Sequence, residues 1–241
     1  AFITGASAGI GRSFAEILAK KKFELVLCAR REKLLHEIAN TLEEKYSIHV
    51  LVIAIDLADL NSCNKIKEIL DNKGITVDLL INNAGYGLSK SFLKASWKEL
   101  ENYHNVMLMS VTKLSHLMIP EMKARNYGRI INVSSIAAFI PEAEGSLYTG
   151  IKAYLLSFSK ALAKEVAKYN IQVTALCPGL TYTEFHDVLG NRKKVSRLPK
   201  FLWMDSTTVA EQGLNAVMKG KTVYINGVIN KLIVFLAYIT P

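Results

Sequence analysis

The chain of 241 residues is poor in the residues that build disulfide frameworks, metal centres and interdomain linkers. Its three cysteines (Cys28, Cys63 and Cys177) are far apart, odd in number and without CxxC spacing, which favours reduced thiols in the cytoplasm over disulfides or a zinc site. The five histidines form no HxxxH pair, so we expect no metal centre. The five prolines mark no linker, and the sequence predicts a single domain over residues 1–241.

No apolar run reaches the roughly 20 residues that a helix needs to cross a bilayer. The apolar tail at residues 231–241 (KLIVFLAYITP) is therefore expected to cover the core, form a subunit contact or touch a membrane surface. A net charge of +9 would suit nucleic acid or an anionic membrane, but interleaved acidic residues favour a solvated surface and no nucleic-acid partner. The first strand begins almost at residue 1, so we expect further residues to precede it.

Short apolar runs of strand length alternate along the chain with longer amphipathic segments. The runs are rich in Val, Ile and Leu and do not alternate with polar residues, as in parallel strands that are buried on both faces. Repeated β-α units predict one doubly wound (Rossmann-type) α/β domain, with ligands at the carboxyl ends of its strands. The expected strands cover 23–29, 49–55, 77–82, 129–134, 171–177 and 222–226, and the expected helices cover 10–22, 31–46, 59–73, 96–124, 146–169 and 207–219.

The segment TGASAGIG, residues 4–11, lies between the first expected strand and the first expected helix. Glycines at these positions permit unusual backbone angles and a close approach of the main chain to a phosphate. The GxxxGxG spacing differs from the commoner GxGxxG fingerprint, and a glycine-rich turn alone is weak evidence. Its place at the start of a β-α-β unit predicts a pyrophosphate site with contacts from Gly5, Ser7, Ala8, Gly9, Ile10 and Gly11.

The ends of the later strands carry residues that suit a nucleotide. In LCARRE, Arg30 and Arg31 stand where an enzyme that prefers NAD usually has an acidic residue for the ribose 2′-hydroxyl. Guanidinium groups suit the additional phosphate of NADP, so the sequence predicts NADP(H), although two solvated arginines at a helix start would give the same pattern. Further cofactor contacts are expected after the third and fourth strands, from Asp56, Leu57, Asn83, Ala84 and Gly85.

Five motifs occur in the order and at the spacing of one family: TGASAGIG, NNAG at 82–85, the serine of INVSS at 131–135, YxxxK at 148–152 and CPG at 177–179. Through them the sequence resembles the short-chain dehydrogenase/reductase family over essentially its whole length. The resemblance implies hydride transfer between a nicotinamide cofactor and a small-molecule carbonyl or alcohol. The run at 131–165 looks most like 3-ketoacyl-CoA reductases, hydroxysteroid dehydrogenases and broad-specificity bacterial reductases.

The family also implies a homodimer or homotetramer in which the fourth and fifth long helices pair between subunits. An apolar stripe on the fourth of these helices is long enough to serve such a contact, and a plain core face would look nearly the same. The stripe consists of Leu108, Val111, Leu114, Ser115 and Met118.

The stretch GSLYTGIKAYLLSF places Tyr148 four residues before Lys152, on the same face of an expected helix. On its own, this pattern fits a tyrosine that packs on a lysine stem. Within the resemblance, Tyr148 is the acid/base that protonates the substrate oxygen. A phenol has a pKa near ~10, and a shift to about 7 requires roughly 4 kcal/mol of stabilisation of its anion. Lys152, with the positive nicotinamide of the oxidised cofactor, is expected to supply it and to hold the nicotinamide ribose.

The resemblance implies roles for further residues near Tyr148. Ser135 lies 13 residues before that tyrosine and is expected to hydrogen-bond the substrate oxygen, although Ser134 fits with a shift of one residue. In CPGLTYTEF, a turn is expected beneath the nicotinamide, and the second threonine is expected at its carboxamide. The residues expected to contact this end of the cofactor are Pro178, Gly179, Thr181 and Thr183.

One position departs from the pattern of the family. Met107 stands where the family has an asparagine that orders a water in the proton relay behind the lysine. A thioether is at most a weak acceptor and donates nothing. Asn105 lies about 200° around a regular helix from Met107, so it is not expected to replace that amide. His104 and Ser110 are the candidates to hold the water instead.

The substrate is expected to be set by the segment 184–206, whose apolar side chains suit an acyl chain or sterol, or equally a lid that packs on itself. A dinucleotide-binding protein with little or no turnover is the main alternative function, and Met107 is the feature that favours it. A peripheral membrane protein is a further alternative. The large apolar residues of the segment are Phe185, Leu189, Phe201, Leu202 and Trp203.

Overall fold

The computed structural model describes residues 1–88, 90–140, 146–185 and 198–239. In this part of the chain, seven parallel strands form one sheet in the order β3-β2-β1-β4-β5-β6-β7. The predicted doubly wound fold is therefore confirmed. The strands are β1 (Phe2–Thr4), β2 (Leu25–Ala29), β3 (Val50–Ala54), β4 (Leu79–Asn82), β5 (Gly128–Val133), β6 (Ile171–Cys177) and β7 (Val223–Ile225).

Helices cover both faces of the sheet, and each face has its own apolar core. One core contains Phe14, Leu18 and Leu214, and the other contains Ile66, Leu114 and Met118. Because a strand between these layers is buried on both sides, it reads as a continuous apolar run in the sequence. The helices are α1 (Gly9–Lys20), α2 (Glu32–Tyr46), α3 (Ser62–Asn72), α4 (Trp97–His104), α5 (Ser110–Ala124), α6 (Ser146–Val166), α7 (Ser206–Met218) and α8 (Val228–Ile239).

The strand order places β1 beside β4, and the chain winds outward in opposite directions from this pair. Their register aligns Ile3 with Ile81, so Thr4 and the residues after Asn82 meet at the carboxyl edge of the sheet. A crevice opens at such a switch in strand order, and ligands of this fold class bind there. The topology therefore brings the glycine-rich turn and the NNAG motif together, as the sequence predicted.

The expected helix 96–124 is interrupted by a π-helical turn at Asn105–Met109, which separates α4 from α5. Its start is as predicted, because Ser96 and Glu99 form a reciprocal capping box. A π turn inserts one residue and rotates everything beyond it, and such turns are frequent at functional sites. The sequence analysis missed it, because an apolar pattern tolerates one inserted residue.

The apolar stripe that was expected to join subunits is instead a core face. Val111, Leu114 and Met118 are buried within the chain itself, and Ser115 donates to the carbonyl oxygen of Val111. Leu108 packs on the cluster around Tyr148. The stripe is therefore not free for a subunit contact, and the alternative interpretation as a core face is correct.

The apolar tail forms α8, a helix that the sequence analysis did not predict. Its inner face covers the core, since Asn230 and Val234 are 3% and 4% exposed. Its outer face is also apolar, with Leu232 and Phe235 more than half exposed. A helix that is apolar all round gives no amphipathic pattern, which explains the omission. No helix among the described residues has the length and apolar character that a membrane crossing requires.

Candidate active site

The glycine-rich turn brings backbone N–H groups to the crevice at the N-terminus of α1. Ala8 is the N-cap and provides no side-chain hydrogen bond, and the first turn of α1 contains no acidic residue. The first N–H groups are thus available to an anion, which the helix dipole also favours. A methyl group on Gly11 would lie 2.3 Å from the carbonyl oxygen of Gly5, so only glycine permits this packing. The geometry fits the pyrophosphate of a dinucleotide.

Both arginines after β2 lie at the edge of the same crevice. Arg31 donates from Nε and Nη2 to the Ser7 hydroxyl, at 3.2 and 3.0 Å, and from Nη1 to the Glu184 carboxylate at 2.9 Å. Arg30 Nη1 lies 3.9 Å from Asp56 Oδ2, and both side chains are at least half exposed. Two cations beside the glycine-rich turn fit the 2′-phosphate of NADP.

The NNAG segment is fixed to the glycine-rich turn by a short polar network. Thr4 Oγ1 accepts from the backbone N–H groups of Asn83 and Ala84, both at 3.0 Å. Asn83 Nδ2 donates to the Thr4 carbonyl oxygen at 3.0 Å. These bonds hold the ends of β1 and β4 in one arrangement beside Gly85 and, across the crevice, Leu57. The predicted cofactor residues of this group therefore line one cavity.

Tyr148, Lys152 and Ser135 converge on the other side of the cavity. Ser135 follows β5, and its hydroxyl donates to the Pro178 carbonyl oxygen at 3.5 Å and favours the charged form of the Tyr148 phenol, lowering its pKa. Lys152 Nζ donates to the carbonyl oxygen of Val133 at 2.8 Å and lies 5.6 Å from the centroid of the Tyr148 ring. The neighbouring Ser134 instead donates to the backbone carbonyl oxygen of Lys152 at 2.7 Å. The geometry therefore favours Ser135 over Ser134 as the serine that faces a substrate.

Buried hydrogen bonds position α6, which carries Tyr148 and Lys152. Asn132 on β5 donates to Ser159 Oγ of α6 at 2.9 Å and accepts from Asn82 of β4 at 2.8 Å. The three side chains are at most 3% exposed. These buried hydrogen bonds link β4, β5 and α6 in one arrangement, although Asn82 Oδ1 has no partner among the described residues. They therefore fix the distance from Tyr148 to the strand ends.

The groups of the protein alone do not lower the pKa of Tyr148, and the expected fall stays a prediction for the complex with the oxidised cofactor. Burial raises the pKa of Tyr148 above its ordinary value, and the Ser135 hydroxyl offsets this only in part. Burial also lowers the pKa of Lys152 to about 8. In both cases desolvation is the largest cause, because it disfavours the charged form of the group. Tyr148 is thus a neutral phenol with a proton to give at neutral pH.

The residues after β6 form the third side of the cavity. Ile136 N–H donates to the Pro178 carbonyl oxygen at 3.0 Å, which ties this turn to Ser135. A methyl group on Gly179 would lie 2.3 Å from Oδ1 of Asn230, so α8 packs directly beneath the turn. The sequence analysis missed Asn230, which directly precedes the apolar tail and belongs to no motif. The predicted residues lining this side are Pro178, Gly179, Thr181 and Thr183.

The glycine-rich turn, the NNAG segment, the Ser135–Tyr148–Lys152 group and the turn after β6 border one cavity of about 810 Å³. Of the predicted site residues, only Gly11 does not line it. Its part beyond Tyr148 has an apolar wall, and the ring of Phe185 lies 5.8 Å from that of Tyr148. Of the segment expected to set the substrate, Phe185 lines this cavity, Phe201 is 66% exposed, Trp203 packs on Tyr182, and Leu189 lies outside the described residues. Sequence reasoning missed most of the wall, which comes from separate loops and helices. Its apolar members are Tyr86, Leu88, Phe92, Tyr103, Ile140 and Leu147.

Met107 lies on the π turn and contributes to the same cavity. It is 1% exposed, and a methyl group on Gly85 would lie 2.7 Å from its sulfur atom. Asn105 is occupied elsewhere, because its Nδ2 donates to the Ala58 carbonyl oxygen at 2.8 Å. His104 and Ser110 each bond the carbonyl oxygen of the residue four positions earlier. Both are thus engaged with their own helix, which weakens the expectation that either replaces the asparagine.

The chain belongs to the short-chain dehydrogenase family, which matches residues 1–194. It is 35% identical over 202 residues to the NADP-dependent 3-hydroxy acid dehydrogenase of Schizosaccharomyces pombe, covering 82% of this chain and 78% of that protein. It is 32% identical over 188 residues to very-long-chain 3-oxoacyl-CoA reductase-A of Danio rerio, covering 76% of this chain but 58% of that protein. A solved short-chain dehydrogenase from Sphingobium yanoikuyae in complex with NADPH is 28% identical, with a TM-score of 0.87 over 98% of this chain and 92% of that one. The predicted family is confirmed.

Proposed function

We propose that the protein is an NADP(H)-dependent oxidoreductase that transfers a hydride between nicotinamide and a carbonyl or secondary alcohol of a lipophilic small molecule. The observation that carries the proposal is the convergence of Ser135, Tyr148 and Lys152 on the cavity that the glycine-rich turn also borders. The cofactor supplies or accepts the hydride. Arg30 and Arg31, together with the NADPH bound to the Sphingobium relative, support NADP(H) over NAD(H).

Each catalytic residue has one task in this proposal. The Ser135 hydroxyl holds the substrate oxygen close to the phenol of Tyr148, which lines the same cavity. Tyr148 donates its proton to that oxygen during reduction and takes it back during oxidation. Lys152 holds the nicotinamide ribose, and its ammonium group stabilises the phenolate that remains. The apolar wall excludes water from the reacting atoms.

A lipophilic substrate is supported by the side chains around the cavity beyond Tyr148. Leu88, Phe92 and Phe185 line it with apolar groups, and the ammonium group of Lys90, which also lines it, is paired with Glu99 at 2.8 Å. The relatives from Schizosaccharomyces pombe and Danio rerio are named for 3-hydroxy acids and 3-oxoacyl-CoA, which carry an oxygen at the third carbon of a chain. We therefore propose ketones on an apolar chain or ring system as the substrate class.

The test is the oxidation of NADPH against a panel of carbonyl compounds. The panel contains 3-oxoacyl thioesters of increasing length, bulky ketones and a ketose sugar. We expect kcat/KM to rise with the apolar area of the substrate, because the cavity wall buries that area. Tight NADPH binding without turnover on any compound would instead support the alternative, a dinucleotide-binding protein with little or no turnover.

Cofactor preference gives a separate prediction. We expect NADPH to bind at least about tenfold tighter than NADH, because a charge-assisted contact with the 2′-phosphate contributes more than 1 kcal/mol. Arg30→Gln and Arg31→Gln should each narrow this difference, chiefly by weakening NADPH. Fluorescence titration of the parent protein and both variants with each cofactor measures the six affinities. Equal affinities of the parent protein for the two cofactors would contradict the NADP(H) assignment.

Met107 gives a prediction about rate. Without the asparagine amide, a water behind Lys152 lacks one fixed partner, worth about 1 kcal/mol. We therefore expect a slow reductase in which Met107→Asn raises kcat several-fold, while the apolar control Met107→Leu does not. The variants are compared under conditions in which a solvent isotope effect on kcat shows that proton transfer limits the rate. Under that condition, an unchanged kcat in Met107→Asn would refute the relay argument.

We propose a homodimer or homotetramer as the assembly, and the outer face of α6 supports it. A shallow groove on this face is lined by small exposed residues and by two lysines. The small residues are Ala153, Ser157 and Ala161, and the lysines are Lys160 and Lys164. Small residues allow two helices to approach closely. We expect light scattering at micromolar concentration to give at least twice the mass of the chain, and Ser157→Arg to reduce it. A monomer mass for the parent protein would contradict this assembly.

A further inference from the structure

The guanidinium group of Arg31 joins the glycine-rich turn to the segment that follows β6. Its Nη2 and Nε atoms both donate to the Ser7 hydroxyl, at 3.0 and 3.2 Å. Its remaining nitrogen, Nη1, donates to the carboxylate of Glu184 at 2.9 Å, across 153 residues of sequence. Sequence analysis assigned Arg31 to the 2′-phosphate of NADP and gave Glu184 no role.

We propose that Glu184 is a cofactor-selectivity residue that competes with the 2′-phosphate of NADP for Arg31. A carboxylate and a phosphate are both anions that bind guanidinium through paired oxygens. The two cannot approach Arg31 closely together without like-charge repulsion. Binding of the 2′-phosphate therefore requires Glu184 to leave. A cofactor without that phosphate leaves the ion pair in place.

The ion pair is weak enough to be exchanged. The side chains of Arg31 and Glu184 are 48% and 55% exposed, and pairs of this exposure stabilise a fold only slightly. A phosphate carries more charge than a carboxylate and offers more acceptor oxygens. Exchange consequently favours the phosphate. Glu184 therefore weakens the binding of the 2′-phosphate several-fold without preventing it.

Displacement of Glu184 acts on the residues beside the catalytic tyrosine. Thr183 packs against Gly9, where an added methyl group would lie 2.9 Å from the threonine Cγ2 atom. Phe185 lies on the opposite side of Glu184 in sequence, with its ring 5.8 Å from that of Tyr148. A change at Glu184 is thus transmitted over one residue to the wall of the substrate cavity. The 2′-phosphate thereby influences how Phe185 covers Tyr148.

The inference rests on the proposed use of NADP(H), so its test uses ligands that lack nicotinamide. Isothermal titration calorimetry compares adenosine 2′,5′-bisphosphate with adenosine 5′-monophosphate. For Glu184→Gln, we expect the Kd of the bisphosphate to fall about three- to tenfold and that of the monophosphate to stay constant. The gain should shrink as salt is added, because exposed charges are screened.

A matched control separates the ion pair from general charge. Glu32 is exposed and directly follows Arg31, and no ion pair joins the two among the described residues. Glu32→Gln removes the same charge from the same neighbourhood, and we expect it to change either Kd by less than about twofold. An equal gain in Glu32→Gln, or an unchanged or weaker bisphosphate affinity in Glu184→Gln, would overturn the inference. Failure of the parent protein to prefer the bisphosphate would overturn the NADP(H) proposal itself.

The coupling to the cavity wall has its own reporter. Trp203 stacks on Tyr182 at 4.8 Å, one residue before Thr183, and the only other tryptophan of the chain is Trp97. In a Trp97→Phe background, we expect the bisphosphate to change the emission of Trp203, and the monophosphate to change it much less. Glu184→Gln alone should shift the emission towards that of the bisphosphate complex. Equal responses to both nucleotides would refute the coupling.

Discussion

Tyr148→Phe is expected to lower kcat by at least about 100-fold, because it removes the group that we propose as the proton donor to the substrate oxygen. The phenol is neutral at physiological pH, since burial raises its pKa. The aromatic ring remains, so its packing on Phe185 is kept. Stopped-flow measurement of NADPH oxidation gives kcat, and a titration gives the affinity for NADPH, which should stay within about twofold. A kcat within tenfold of the parent value would exclude Tyr148 as the acid.

The chain offers a matched control for this substitution. Tyr103 borders the same cavity and packs on Tyr86, with ring centroids 5.3 Å apart. Its hydroxyl is buried and has no hydrogen-bond partner among the described residues. An unsatisfied buried hydroxyl is unfavourable by about 1–3 kcal/mol, so Tyr103→Phe should keep turnover and retain or raise the melting temperature. Loss of a tyrosine hydroxyl is therefore expected to remove most turnover at Tyr148 and to leave turnover unchanged at Tyr103.

The fold was predictable because its signals are local. Apolar runs without alternation indicate buried parallel strands. A glycine-rich turn after the first of them indicates the point at which the strand order reverses. Tyr148 and Lys152 are one helical turn apart, so their proximity follows from four residues of sequence. The π turn at Asn105–Met109 and helix α8 leave no comparable local signal.

The parts of the site that escaped prediction depend on distant contacts. The pair of Arg31 and Glu184 joins residues 153 positions apart, and neither one marks the other in the sequence. The sequence shows the lysine one helical turn from Tyr148 but not the desolvation that raises the pKa of this phenol in the folded chain. Burial of a group depends on every element packed around it. The extent of burial can therefore be read only from the folded structure.

Lys152→Met is expected to remove most turnover and also to change the pH dependence of stability. The loss of turnover follows from the loss of the cation beside Tyr148, and we expect at least a 100-fold decrease in kcat, about the range of positioned proton-transfer groups. Methionine fills nearly the same space without a charge. The variant should therefore fold, which allows its free energy of unfolding to be compared with that of the parent protein.

The direction of the pH effect follows from the lowered pKa of Lys152, about 8 in the folded protein against 10.5 for an ordinary lysine. Below pH 8, the lysine is charged in both states, and the folded state carries the full penalty of a buried ammonium group. Between pH 8 and 10.5, the folded state loses its proton first, so the unfolded state binds more protons and stability rises with pH. The total change is roughly 3 kcal/mol, and it is absent from the methionine variant.

Urea denaturation of both proteins at pH values from 7 to 10 measures this difference. Groups common to both proteins titrate alike, so their contributions cancel when one free energy of unfolding is subtracted from the other. We expect Lys152→Met to be most favourable relative to the parent protein at pH 7, and to lose that advantage steadily above pH 8. A difference that is independent of pH would show that Lys152 keeps an ordinary pKa in the folded protein. Its ammonium group would then be solvated, and it could not act on Tyr148 through a water-excluded contact.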